Sequence, residues 1–124
     1  MNYNEMYTSN YFKVKDMEKF KNDIKENNLE HIFEFSKDGN SVCVVSEYFD
    51  SYNDTTDEEF TCDDVAELIR NNMTLDSKLY IDNIGYEGYR YFTAGVWRIM
   101  PYRITYDDLF RQYYKDKKVS ELKW

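Results

Sequence analysis

The sequence predicts an α+β fold in which two to three helices pack on one face of a mostly antiparallel sheet. Apolar residues recur at helical spacing in segments that begin at capping residues, and strand-like runs rich in branched and aromatic residues lie between them. An Asp-Gly pair joins two of these runs. With 124 residues, one proline and no Gly/Ser-rich linker, residues 1–124 are expected to form one compact domain.

A short strand and a helix are expected first. The side chains of residues 11–14, Tyr-Phe-Lys-Val, alternate in polarity, which indicates a strand. Asp16 is placed to cap a helix, because Phe20 and Ile24 then recur on one side of it. The two asparagines at 27–28 are expected to end this helix.

A β-hairpin is expected next. Residues 29–35 are rich in branched and aromatic side chains, which favour a strand. The segment 36–40 contains the Asp-Gly pair typical of a tight turn, and residues 41–48 then form the returning strand. Residues 49–60 are expected to be a polar, acidic connection.

The second half repeats this alternation of helix and strands. Thr61 and Asp64 resemble a capping box and predict the start of a second helix. Strands are predicted over 78–84 and 89–100, with a shorter run after Pro101. Thr105 and Asp108 repeat the cap pattern, so a closing helix is expected to begin there. Its apolar face would consist of Leu109, Phe110, Tyr113 and Tyr114.

The negative charge is concentrated in one segment. Residues 38–69 contain ten carboxylates and no lysine or arginine, so their charge is −10, compared with −8 for the whole chain. Ordinary surfaces mix both signs, and a one-signed surface repels nucleic acid and attracts basic proteins. A hydrated acidic loop without a partner would give the same pattern. The candidate partner-binding residues are Glu47, Asp50, Tyr52, Asp54, Asp57, Glu58, Glu59, Asp63 and Asp64, with Tyr48, Phe49, Tyr52 and Phe60 as apolar anchors.

We expect no enzyme, since the residues needed for chemistry are not grouped in the sequence. His31 is the only histidine, and the glycines match no phosphate-binding loop. Cys43 and Cys62 lack neighbours at metal-ligand spacing, so no catalytic residue, metal site or cofactor is predicted. We expect Cys43 to be a buried thiol, and the carboxylates around Cys62 should oppose a lowering of its pKa. The polar N-terminus and the lack of a long apolar run predict a cytoplasmic protein.

A second constellation lies in the C-terminal half, where arginines alternate with aromatic residues. Arg90, Arg98 and Arg103 are candidate ligand-binding residues, because arginine and tyrosine on a sheet can clamp phosphates and stack on bases. A central strand with tyrosines at its margins, or a protein interface, would explain the same pattern. The aromatic content is also compatible with a homodimer.

Two stretches stand out, TSNYFKVKD at 8–16 and NIGYEGYRYFTAGVW at 83–97. They resemble a family of small acidic proteins encoded on phages and conjugative elements of low-GC bacteria. The resemblance implies a mobile-element gene, and such genes often counter host restriction and CRISPR systems. With the charge pattern, it leads us to expect a non-enzymatic, nucleic-acid-mimicking inhibitor of a basic nucleic-acid-binding protein or nuclease. No direct binding to nucleic acid or membrane is expected. An immunity protein for a nuclease toxin, or a nucleotide-signal-binding protein, remains an alternative.

Overall fold

The computed structural model describes residues 3–53, 56–87 and 91–108, and it confirms the α+β prediction. The helices are α1 (Met17–Glu26) and α2 (Cys62–Asn72), and a 3₁₀ turn spans Glu30–Ile32. The strands are β1 (Tyr3–Ser9), β2 (Phe33–Phe35), β3 (Val42–Ser46), β4 (Ser51–Asn53), β5 (Glu58–Phe60), β6 (Leu79–Glu87), β7 (Tyr91–Met100) and β8 (Arg103–Asp108). Neither described helix is long and apolar enough to cross a membrane.

Six of the strands form one antiparallel sheet in the order β2-β3-β1-β6-β7-β8. Strand β1 lies inside this sheet and pairs with β6 along its whole length, from Tyr3 opposite Glu87 to Ser9 opposite Ile81. The short strands β4 and β5 form a separate antiparallel pair. The chain therefore places a small hairpin between β3 and α2, outside the main sheet.

Both helices contribute to one apolar core on a single face of the sheet. Residues from α1, α2 and alternate positions of the strands are fully buried together: Phe20, Val65, Ile69, Val44, Ile81 and Ile99. The opposite, outer face exposes Met6, Tyr80 and Ile84, because successive strand residues point to opposite sides. Burial of aliphatic and aromatic side chains on the inner face is the main stabilising contribution to this fold.

The capping and turn residues correctly predicted helix α1 and the hairpin of β2 and β3. Asp16 accepts a hydrogen bond from the Lys19 backbone N–H at 3.1 Å and begins α1. Asn27 is the C-cap of α1, and Asn28 takes a left-handed backbone conformation with φ of 57°. The hairpin of β2 and β3 has Gly39 in its turn at φ of 74°, where a glycine avoids strain.

The predicted strand at 11–14 is wrong, and β1 was not predicted. Phe12 and Val14 make only isolated bridges, to Val42 and Met73. Strand β1 has a mostly polar sequence in which Tyr7 is buried in the core, so its alternation is weak and its pairing with β6 and β3 defines it. The first part of the predicted strand 29–35 is instead the 3₁₀ turn, and only β2 is extended.

The start of the closing helix was also predicted wrongly. Thr105 and Asp108 lie in β8, opposite Arg98 and Gly95 of β7. Ile104 packs against the core while its neighbours Arg103 and Thr105 point to the outer face, a period of two that outweighs the cap-like spacing. The rest of that helix prediction lies outside the described residues. The expected 49–60 connection contains the β4–β5 hairpin.

Candidate functional site

The acidic segment, residues 47–64, is attached to the core by Phe49. This side chain is 1% exposed and stacks on Tyr7 with ring centroids 5.4 Å apart, and its ring also lies 5.7 Å from that of Trp97. Phe49 therefore cannot serve as an anchor for a partner, and that prediction is wrong. Phe60 is half-buried against the core, whereas Tyr48 and Tyr52 are 62% and 52% exposed. The two tyrosines are the predicted anchors that remain accessible.

The hairpin formed by β4 and β5 presents carboxylates on both of its faces, because Glu58 and Glu59 are consecutive residues of β5. Tyr52 lies opposite Glu59, and Asn53 lies opposite Glu58. The Tyr52 hydroxyl donates a hydrogen bond to the Asp57 carboxylate, and this bond raises the pKa of Tyr52. Asp57 has a φ of 56°, which fits its place in the connection between the strands. Asp54, another predicted partner-binding residue, lies outside the described residues.

Two hydrogen bonds fasten this hairpin to the turn that follows α1. The Ser51 hydroxyl donates to the Asn28 carbonyl at 2.8 Å, and His31 Nε2 lies 3.0 Å from the Asp50 carbonyl oxygen. A carbonyl can only accept, so the Nε2 nitrogen carries the proton in this contact. A shallow cleft of about 420 Å³ lies beside these bonds. Its lining includes His31, Tyr48, Asp50, Tyr52 and Glu59.

The acidic segment ends in the first turn of α2. The Asp64 backbone N–H donates to the Thr61 hydroxyl at 3.2 Å, and the Thr61 N–H donates to the Asp64 carboxylate at 3.0 Å. This capping box confirms the predicted helix start. Asp64 therefore has a local structural role, while the carboxylate of Asp63 adds negative charge at the helix N-terminus, where it is favourable.

The described carboxylates of the acidic segment are exposed and have no cationic partner among the described residues. Ion pairs within the described residues involve Glu67 with Arg70, Asp23 with Lys19 and Asp107 with Arg98. None of them uses a carboxylate of the acidic segment. The members with exposed side chains are Glu47, Asp50, Asp57, Glu58, Glu59, Asp63 and Asp64. This segment is therefore a surface of one sign whose charges remain hydrated in the isolated protein.

The two cysteines have thiols of raised pKa. Burial, followed by the charges of Asp50, Glu5 and Asp63, raises the pKa of Cys62 to about 11. Cys43 is buried as predicted, although it points away from the main core, and burial also raises its pKa. A neutral thiol is a poor nucleophile. Within the described ranges, no three His, Cys, Asp or Glu side chains are grouped closely enough to hold a metal ion.

The structure brings two of the three candidate arginines together. Arg98 and Arg103 line a cavity of about 330 Å³ on the outer face of the β7–β8 hairpin, which we name the arginine cavity. Arg90 lies outside the described residues. The remaining lining residues are Met100, Tyr102, Thr105 and Asp107, of which sequence reasoning missed Thr105 and Asp107. A strand prediction over 103–108 would have indicated Thr105 and Asp107, since alternation places them on the face of Arg103.

Comparisons with known proteins add nothing to the geometry described above. No protein-family model matches the chain, and no curated protein or solved structure gave a match.

Proposed function

We propose that this protein is a non-enzymatic inhibitor whose acidic segment occupies the basic surface of a host nucleic-acid-binding defence protein. The observation that carries the proposal is that the described carboxylates between Glu47 and Asp63 form no ion pair with a described residue, over a stretch without lysine or arginine. Exposed charges without internal partners can pair with lysine and arginine of another protein. The resemblance to mobile-element proteins supports a target in host defence.

The geometry supports a surface that is already ordered before binding. Phe49 fixes one end of the acidic segment in the core, and the Thr61 capping box fixes the other end. The bond from the Ser51 hydroxyl to the Asn28 carbonyl holds the start of β4. A pre-ordered surface loses less conformational entropy on association, which raises affinity. Tyr48 and Tyr52 add exposed aromatic area of the kind that dominates protein interfaces.

A salt-resolved pull-down tests this proposal. Tagged protein is incubated with a bacterial lysate, washed at low salt and eluted at about 0.5 M salt, where the Debye length is only about 4 Å. We expect a nucleic-acid-binding protein in the eluate, and a double-stranded DNA oligomer should compete with its capture. Capture that DNA does not affect would contradict occupation of a nucleic-acid-binding surface.

Two matched variants show whether the acidic segment is responsible. The test variant neutralises four exposed carboxylates in it: Glu47→Gln, Asp50→Asn, Glu58→Gln and Glu59→Gln. The control variant makes the same charge change elsewhere on the surface: Glu18→Gln, Glu26→Gln, Glu30→Gln and Glu34→Gln. We expect capture to be lost in the test variant and kept in the control. Equal loss in both would mean that only net charge matters and would overturn the proposal.

The identity of the captured protein separates this function from that of an immunity protein. An immunity protein would use the same acidic segment, but its target would be the nuclease toxin encoded beside it.

A further inference from the structure

The arginine cavity lies on the sheet face opposite the core and contains cationic side chains in an otherwise acidic protein. Arg103 is exposed, and its guanidinium makes no hydrogen bond or ion pair with a described residue. Arg98 faces the same cavity and forms an ion pair with Asp107, which also lines it. With two guanidinium groups and one carboxylate, the cavity has a net positive charge in a chain of charge −8.

The ion pair leaves Arg98 able to bind a second anion. A guanidinium has five N–H donors in a planar fork, and its Nη1 donates to Asp107. The pair also restrains the Arg98 side chain, so less rotamer entropy is lost when its other N–H groups meet a ligand. Thr105 lies directly opposite Arg98 in the strand register and adds a hydroxyl to the cavity wall.

The turn of the hairpin adds an aromatic ring to this anion site. Tyr102 follows Pro101 and is 77% exposed, although it lines the cavity beside Arg103. An exposed tyrosine ring beside arginine provides a flat surface on which a nucleobase can stack. Met100 adds an apolar contact. The cavity volume of about 330 Å³ lies at the lower end of the range for small-molecule sites.

We propose that the arginine cavity binds a nucleoside monophosphate. Arg103 and Arg98 hold the phosphate, Thr105 donates a hydroxyl hydrogen bond to it, and the base stacks on Tyr102. Asp107 limits the affinity, because its carboxylate repels the phosphate and occupies part of the Arg98 guanidinium. This site is separate from the acidic segment and does not depend on the function proposed for it.

Calorimetric titration with three probes tests the ligand class. The probes are AMP, inorganic phosphate and adenosine, each titrated into the whole protein at low salt. We expect AMP to bind more tightly than either fragment, because only AMP engages both the arginines and the ring. Equal binding of phosphate and AMP would overturn the nucleotide assignment, as would the absence of AMP binding at millimolar concentration.

Single substitutions then locate the site. Arg103→Gln is expected to weaken AMP binding about tenfold or more, which corresponds to the loss of one charge-assisted hydrogen-bonding group. Arg70→Gln is the matched control, since Arg70 lies on α2 and pairs with Glu67. Unchanged AMP affinity in the Arg103 variant, or equal losses in both variants, would contradict the site.

Two further variants test the roles of Asp107 and Tyr102. Asp107→Asn removes the repulsion and frees Arg98, so AMP affinity should rise severalfold, and a constant affinity would contradict the assignment. Tyr102→Leu should weaken AMP binding and leave phosphate binding unchanged. Equal losses for both probes would exclude stacking on this ring. Both side chains are exposed, and unchanged circular dichroism spectra would verify that the variants are folded.

Discussion

The acidic segment and the β7–β8 hairpin are attached to the same aromatic cluster but differ in whether their charged side chains are paired within the protein. Phe49 anchors the acidic segment, Trp97 belongs to the hairpin, and their rings lie 5.7 Å apart. Tyr106 extends the cluster, with its ring 4.9 Å from that of Trp97. In the hairpin, Arg98 is paired internally with Asp107, whereas the exposed carboxylates of the acidic segment have no cationic partner among the described residues.

The unpaired charge of the acidic segment follows from the composition of that segment and not from a lack of cations elsewhere in the chain. The chain has sixteen lysines and arginines, yet residues 38–69 contain none of them. The ion pairs of the described residues lie in α1, at the end of α2 and in the β7–β8 hairpin. The fold thus separates a surface of one sign from a surface of mixed charge.

The largest effect is expected from removing the shared aromatic anchor. Phe49→Ala should lower the free energy of unfolding by about 3–5 kcal/mol, because it deletes a fully buried ring and leaves a cavity. Hydrogen exchange should show a greater loss of protection in β4 and β5 than in β7. Tyr48→Ala, at the exposed neighbouring position, should change the stability by less than about 0.5 kcal/mol. Similar losses in the two variants would show that Phe49 is not the anchor.

The next largest effect is expected from a substitution in the β7–β8 hairpin, the other element attached to the aromatic cluster. A Cβ atom at Gly95 would collide with the ring of Tyr106, so Gly95→Ala should cost about 1–3 kcal/mol of stability. Hydrogen exchange should now report loosening of β8, with β4 and β5 unaffected. Tyr106→Ala combined with Gly95→Ala should cost less than the sum of the two single effects, as urea unfolding can measure. Additive costs would mean that the collision is not the cause.

A smaller effect is expected at the C-terminal end of the acidic segment. Thr61→Ala removes the hydroxyl that accepts the Asp64 N–H and should lower the free energy of unfolding by about 1 kcal/mol. Thr61→Ser keeps the hydroxyl and should retain most of the stability. Thermal unfolding of both variants makes the comparison. If serine were as harmful as alanine, the capping box would not be the source of the loss.

The smallest effect depends on pH. The Cys62 thiol has a pKa of about 11 in the folded protein, raised from 9.0, so the folded state favours the neutral thiol. This contribution to stability is complete below pH 9 and is lost as the pH rises to about 11. Because Cys62 is only half-buried, we expect the loss to be less than about 1 kcal/mol. Urea unfolding at both pH values should show a smaller decrease for Cys62→Ala than for the unsubstituted protein.

The same experiment excludes the other buried acids, Tyr7 and Cys43, as the cause of that difference, because burial raises the pKa of Cys43 as well. Burial also raises the pKa of Tyr7, so stability should fall at high pH in both proteins. Only the part removed by the Cys62 substitution belongs to the thiol. An identical decrease in both proteins would contradict the Cys62 assignment.

Local signals predicted the helices and the tight hairpin, because caps and turns act over a few residues. Asp16, Thr61 and Gly39 each lie where their side chain or backbone freedom is needed. Strand β1 could not be predicted in this way, since its seven residues are mostly polar or aromatic and are strand only through pairing with β6 and β3. The cap-like Thr105 failed for the same reason, as pairing with β7 determines its conformation.

The charged residues of the candidate sites could be predicted from the sequence, but the burial and contacts of the residues around them could not. Composition alone located the acidic segment, and Arg98 and Arg103 were chosen from the sequence and line one cavity. The burial of Phe49 was not foreseen, because the aromatic residues of that segment look alike until the core is known. The contact between His31 and the Asp50 carbonyl joins residues from separate elements, which no local pattern could indicate.

The most direct measurement is the salt dependence of affinity between this protein and its purified, captured partner. We expect the affinity to fall steeply with salt for the unsubstituted protein and for the Glu18, Glu26, Glu30 and Glu34 control variant. The variant neutralised at Glu47, Asp50, Glu58 and Glu59 should bind more weakly and with a shallower salt dependence. The same affinity and the same salt dependence in all three proteins would contradict a role for the acidic segment.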